Sequence, residues 1–536
     1  MKHGIITAPQ PEAVELGAEV LMRGGNAVDA AVACAFAQGV ADNLMCGIAG
    51  FGFAHVFLPG KKIHTTYDFM STAPAAVTAG MWEPLLEGET RDGFGFILKG
   101  RVNDIGYQSV AVPGNLKGYH SLHAAHGRLP WADVVAPAIR LAREGYTVTP
   151  YVRAYWTTPE KMGRVEIIDR IAYSKNARGL YFGDDGVPHQ IGTKVRNPEL
   201  ADTLGGIAQD GDRSFYHGAV ASRIDAEFRA NGGHLSKADL EAYRVQERPP
   251  VFSTYRGLRL AVTPPPSSGY MMAKMLGILE RFDLRALGHN STAYIKLLAE
   301  VMKRAQIDKE RYIGDPDFEP VPTAPFLDPA QHDADAAAIR RGERAVVPRL
   351  APKAYESAET TQVSVMDVEG NVVSMTHTLG MQSGVITPGL GFMYNAAMAM
   401  FDPRPGRPMS LAPGKKRVSS MAPTILFDGD KPVLVTGAPG GSNIPMGILQ
   451  TILNVVDFGM SIVEAVEAPR VSAMGNVIDV SHRIPGFQCD ALRADGYAVA
   501  RSAQSYLVAR PHSIRVEGGR VTGSADPAAG GMALIV

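Results

Sequence analysis

The residues with the most definite chemical potential stand in Glu359-Thr360-Thr361, where an irregular stretch gives way to a strongly alternating run. A hydroxyl there suits an ordinary strand or cap position, and equally a nucleophile exposed by self-cleavage. In the second reading the Thr360 hydroxyl attacks the Glu359 carbonyl, the ester hydrolyses, and the new α-amine becomes general base for that hydroxyl. An α-amine of pKa about 7.7–8 keeps a useful neutral fraction near pH 7, so no histidine is required. Thr436-Gly437-Ala438-Pro439-Gly440-Gly441-Ser442 follows the apolar run Val433 to Val435 and precedes a helical pattern. A strand, a glycine turn and a helix N-terminus together aim backbone N–H groups at an oxyanion, although the same residues also make a simple tight turn. No Gly-Lys-Ser/Thr follows and the GxGxxG spacing is missing, so a phosphate loop and a dinucleotide fingerprint are excluded. Ser419 and Ser420, ahead of another strand, either orient a substrate or satisfy the ends of a loop.

Other polar groups read as structural. His120, His123 and His126 share one side of a helix but are joined by no nearby carboxylate, and are expected to be solvated rather than to hold a metal. Asp315, Asp317, Asp333 and Asp335 lack the ligand spacing and glycine of a calcium loop. Lys415-Lys416-Arg417 is expected to face water, and Pro264 to Gly269 to form a rigid structural turn. No metal or cofactor is expected. With 53 basic against 54 acidic residues in 536, the chain has no overall charge to draw nucleic acid or an anionic membrane.

The elements that must position these groups are readable in outline. Residues 12 to 40 have helical spacing broken at Gly24-Gly25-Asn26, which predicts two helices joined by a tight turn. Four hairpins are expected, with turns at Pro59-Gly60, Glu369-Gly370-Asn371, Asp428-Gly429-Asp430 and Glu517-Gly518-Gly519. Amphipathic helices are expected over 293–312 and 444–457, giving antiparallel sheet covered by helices. Residues 313–359 read as an exposed connection. The glycine count is high at 57 and fits a fold rich in such turns.

Taken in order, these segments resemble the γ-glutamyltranspeptidase family of N-terminal-nucleophile hydrolases, in a branch like the oxamate amidohydrolases and cephalosporin acylases. The matching residues are Gly24 to Ala31, Val112-Pro113-Gly114, Leu141 to Gly145, Pro264 to Gly269, Tyr312 to Pro316, Thr360 to Val365, Ser419-Ser420-Met421 and Gly437 to Ser442. The resemblance implies an α+β fold, a four-layer αββα sandwich, cut between Glu359 and Thr360. The heavy chain would be residues 1–359 and the light chain 360–536, both belonging to one sandwich. It implies Thr360 as nucleophile, Thr378 as its supporting hydroxyl, Gly440 and Gly441 as the oxyanion pair, and Ser419 and Ser420 on the substrate's carboxylate end.

The family's glutamate anchors do not carry over. Its arginine falls at Met70, its asparagine at Gly380, and its glutamine and aspartate at Ala397 and Met400. The loop from Asp402 to Lys416 is also shorter than the family's lid. His377 and Arg417 are the candidates to replace the lost contacts. The expected activity is therefore hydrolysis of a small or non-glutamyl amide, oxamate-like or acyl. Two alternatives stand beside it: a γ-glutamyltransferase or glutathione hydrolase with an altered glutamate pocket, and an unprocessed relative that only binds a ligand. The expected partners are the small amide and the two chains of one precursor, with a homodimer of the processed unit also allowed. With three cysteines and no apolar leader before Pro9, a cytoplasmic protein is expected.

Overall fold

A computed structural model describes residues 1–90, 95–159, 163–348, 360–506 and 508–536. Two antiparallel sheets form its centre. The first has seven strands in the spatial order Met532–Ile535, Gly4–Ala8, Thr361–Asp367, Val372–Thr378, Phe51–Leu58, Ile63–Phe69 and Gln246–Arg248. The second has six, in the order Arg520–Ala525, His512–Glu517, Lys431–Gly437, Thr424–Asp428, Leu258–Val262 and Val251–Tyr255. Segments on both sides of residue 360 supply strands to both sheets.

Because alternate strand residues face opposite ways, each sheet buries two surfaces. In the first sheet Val363, Val365, Val373 and Met375 pack under the helices Pro11–Met22 and Ala27–Ala41. The second sheet's outer face, including Leu260, Leu426 and Leu434, packs under Gly269–Leu279, Thr292–Tyr312 and Ile444–Val456. Between the sheets, Ile5, Met366 and Val372 meet Ile425, Val435 and Ile514. The layers therefore run helix, sheet, sheet, helix, as expected. At the other end of this seam the contacts turn polar: Ser364 Oγ donates to the His512 carbonyl, and Gln362 Nε2 to Ser364 and Ser374.

All four expected hairpins form, as do both long helices and the pair split at Gly24-Gly25. The second of that pair, Ala27–Ala41, starts in a capping box made by Asn26 and Asp29. Its small residues are almost all buried, so it lies close on the sheet.

Three readings of the polar residues need correction. Residues 329–340 form a helix, started by Pro329 and capped by the Asp328 carboxylate on the Ala330 amide, and Ala336 and His332 are buried. His123 and His126 are buried, not solvated: His123 Nε2 lies 3.3 Å from Asp29 and His126 Nε2 lies 2.9 Å from the Tyr67 hydroxyl. Lys415, Lys416 and Arg417 are likewise buried. Lys416 Nζ lies 2.9 Å from Asp68 and 3.3 Å from Asp317, so this basic run ties its loop to the first sheet. Spacing revealed a cationic cluster but not the acids that folding brings to it. Among the described residues no helix is long and apolar enough to cross a membrane.

Candidate active site

Strand ends converge at one end of the sandwich. Thr361 pairs with His377 and Phe51 with Thr378. Thr360 and Thr378 are the next residues beyond the Thr361–His377 pair, and strand alternation turns Thr378 toward the second sheet. Thr360 and Thr378 are 5% and 2% exposed. Thr378 Oγ1 accepts the Gly380 amide at 2.7 Å. Glu359, the other residue of the expected cleavage site, lies outside the described residues.

The second sheet brings its glycine turn to the same end. Ser374 Oγ reaches the Thr436 carbonyl, and a Cβ on Gly437 would lie 2.4 Å from the Gln362 side chain. The strand is therefore travelling from the level of Ser374 toward that of Gln362, and the turn beyond it continues toward Thr360. Gly440 has φ 144° and Gly441 φ 54°. The Gly441–Asn443 turn and the Ile444–Val456 helix follow. Among the described residues no turn or loop carbonyl accepts either amide, as expected for the first N–H groups of a helical segment.

Only glycine fits at 440, since a Cβ would sit 2.5 Å from Ala509 Cα. Ala509 is itself held by Arg470, which is buried and donates to the carbonyls of Val508 and Ala509 and to the Asp526 carboxylate. Sequence gave no hint of this prop. Arg470→Met removes the cation hydrogen-bonded to the buried Asp526 carboxylate. The expected loss is about 3–5 kcal/mol of unfolding free energy, read as a lowered denaturant midpoint at unchanged slope.

Ser419 and Ser420 lead into the strand Thr424–Asp428, whose first residue pairs with Thr436, so they too lie at this end. The turn at Pro264 to Gly269 props them: Ser419 N donates to Pro266 O and Ser268 Oγ to Ser419 O, both at 2.8 Å. Lys309, unremarked in the sequence because it reads as one more polar position of an amphipathic helix, is buried and donates to Ser420 Oγ at 2.9 Å.

The family's glutamate anchors are absent, as expected, and the side chains at Met70, Ala397 and Met400 are apolar and packed. Phe51, Met70, Ala397 and Met400 belong to one buried cluster. At Gly380, with φ 71°, a Cβ would lie 2.6 Å from Met400 Cε and 2.7 Å from Phe51 Cζ. No side chain can enter there without moving both. Arg417 lies over the Phe51 ring at 4.9 Å, and burial lowers its guanidinium to about 9. Such desolvation makes an anionic neighbour favourable.

His377 is placed elsewhere. It faces the helical layer, opposite to Thr378, with Nδ1 2.7 Å from the Tyr119 hydroxyl and Nε2 2.9 Å from Gln38 Oε1. Burial lowers its pKa to about 3, so the ring is neutral. The structure therefore groups Thr360, Thr378, Gly440, Gly441, Ser419, Ser420 and Arg417 at one end, and leaves His377 behind the sheet.

Two stacked sheets between helical layers, with hydroxyls and a glycine turn toward one end, define a protein of the αββα sandwich class. The γ-glutamyltranspeptidase family model matches residues 13–536, and the chain belongs to that family. It is 40% identical over 507 residues to the acylase ACY 1 proenzyme of Pseudomonas sp. strain V22, covering 93% of this chain and 88% of that one. It is 34% identical to the glutathione hydrolase proenzyme of Escherichia coli K12, covering 88% and 80%. The crystal structure of cephalosporin acylase from Bacillus halodurans superposes with a TM-score of 0.87 at 28% identity, covering 99% of this chain and 96% of that one.

Proposed function

We propose that the protein is a self-processed N-terminal threonine amidohydrolase that cleaves a non-glutamyl acyl amide. What supports this reading is that Thr360 immediately precedes the strand Thr361–Asp367, whose partner strand ends at Thr378, and that the strand leading to Gly440-Gly441 runs toward the same end. Processing would yield a heavy chain of residues 1–359 and a light chain of 360–536. Thr360 has φ 125°, a torsion that a β-branched residue adopts only under constraint. Such strain is of order 1–3 kcal/mol, and cutting the preceding bond abolishes the torsion, so cleavage runs downhill.

In the processed enzyme the α-amine of Thr360 takes the proton from its own hydroxyl as Oγ attacks the amide carbon. Thr378, whose oxygen already accepts the Gly380 amide, has its hydroxyl proton left to donate toward the nucleophile. The Gly440 and Gly441 amides hold the tetrahedral oxyanion. The amine leaves with the proton carried by the α-amine, and water attacks the acyl ester by the same route in reverse. Ser419, Ser420 and Arg417 contact the substrate's polar end. The apolar side chains Phe51, Met70, Ala397 and Met400, which would part to admit an acyl chain, offer a glutamyl group no charged partner, which favours an acyl over an oxamate-like substrate. Similarity to an acylase proenzyme and to a cephalosporin acylase supports this choice.

The reading is tested by competing two p-nitroanilides, γ-glutamyl and a straight-chain acyl of similar length. A lost charge-assisted contact costs ~1.5–3 kcal/mol. The acyl compound should therefore show at least about tenfold higher kcat/KM. Preference for the γ-glutamyl compound would favour a glutamate-binding enzyme anchored through Arg417.

A further inference from the structure

Behind the strand that follows Thr360 runs a continuous buried hydrogen-bond rail, on the face turned to the helix Ala27–Ala41. Gln10 Nε2 donates to the Asp42 carboxylate at 2.9 Å. Gln38 Nε2 lies 2.7 Å from both Gln10 Oε1 and Thr361 Oγ1, and 3.2 Å from the Gln362 carbonyl. The Thr361 hydroxyl donates onward to Gln10 Oε1 at 3.2 Å. Gln38 Oε1 is left to accept from His377 Nε2, whose other ring nitrogen accepts from Tyr119. The Asp42 carboxylate can only accept, which fixes the Gln10 amide, and Gln38 shares its two Nε2 protons among three acceptors. In a low-dielectric interior such aligned bonds reinforce one another.

Gln38 thus grips the nucleophile's strand at two successive residues, through the Thr361 side chain and the Gln362 backbone, and grips the supporting strand through His377. Thr361 and His377 are cross-strand partners, one step behind Thr360 and Thr378. None of these rail side chains reaches the face where chemistry would occur.

We propose that Gln38 and Thr361 are positioning residues, which fix Thr360 against Thr378 and the glycine turn by locking the backbone immediately behind it. This inference rests on the reading of Thr360 as nucleophile. Misplacement by about 1 Å at a reacting group can cost ~10²-fold, so a lock on the adjacent residue acts on rate.

The test uses Thr361→Val in the full chain, which exchanges the hydroxyl for a methyl at nearly constant volume. Self-processing should slow and kcat on the acyl p-nitroanilide should fall about 10–100-fold, with KM changed less than about twofold. Thr361→Ser, which restores the hydroxyl, should recover both. A merely structural hydroxyl would lower the melting temperature and leave kcat of the folded enzyme unchanged. Thr361→Ala removes the same group without added bulk and gives the same reading if the valine variant does not fold. Parental processing and kcat in a folded hydroxyl-less variant, with Thr360→Ala inactive, overturns the rail alone. Activity retained in Thr360→Ala overturns the nucleophile on which it rests.

Discussion

Thr360→Ala is expected to remain one full-length chain and to lose amide hydrolysis by about 10⁶-fold, the scale on which nucleophile removal acts in hydrolases. The two losses have one cause. Without the hydroxyl there is no attack on the Glu359 carbonyl, so no free α-amine forms, and neither nucleophile nor base exists for substrate. Thr360 is 5% exposed immediately before a fully buried strand, and alanine removes its hydroxyl and γ-methyl without adding any atom. The variant should therefore fold, and its melting curve should match that of the unprocessed parent. Thr360→Ser keeps the hydroxyl and should still process, only more slowly. A denaturing gel and a stopped amide assay read both effects. Two chains in Thr360→Ala would place the self-cleaving group elsewhere.

Gly440→Ala should lower kcat about 10²–10³-fold, the usual cost of one lost oxyanion donor. Here the donor is displaced, not deleted. The new Cβ would meet Ala509 Cα at 2.5 Å, a backbone contact that cannot swing aside, and alanine does not readily hold φ 144°. The turn must move, and its amides with it. Because the oxyanion exists only in the transition state and intermediate, KM should change little while kcat falls. Self-processing passes through its own tetrahedral oxyanion and should slow as well. Gly441 has φ 54°, a left-handed value that asparagine tolerates better than alanine, so Gly441→Asn should be milder. Equal rates for parent and Gly440→Ala would remove this turn from the mechanism.

Much of the architecture was legible from local pattern alone. The hairpins follow from glycine turns between alternating runs, and the close packing of Ala27–Ala41 from its small residues. The grouping of Thr360, Ser419, Ser420 and the glycine pair followed from resemblance, and strand register then brought them to one end. What stayed hidden depends on partners far apart in the chain. Lys416 reads as solvated until folding brings Asp68 to it across 348 positions. Lys309 reads as a surface lysine until its helix crosses Ser420. His377 was a candidate contact because it adjoins Thr378. A strand, however, sends neighbours to opposite faces, and the pairing of Thr361 with His377 puts that ring behind the sheet. The apolar cluster at Phe51, Met70, Ala397 and Met400 combines residues that were noticed only as missing anchors with a phenylalanine that was not noticed at all.

The central claim is that Thr360 itself carries the acyl group during turnover. The direct measurement is mass spectrometry of the enzyme quenched in acid while it turns over the straight-chain acyl p-nitroanilide, followed by proteolysis and fragment sequencing. The account predicts a light chain beginning at Thr360, with the mass of the acyl group on that residue, absent when substrate is omitted. An acyl group on any other residue, or steady turnover by a chain still continuous through Glu359-Thr360, would contradict it.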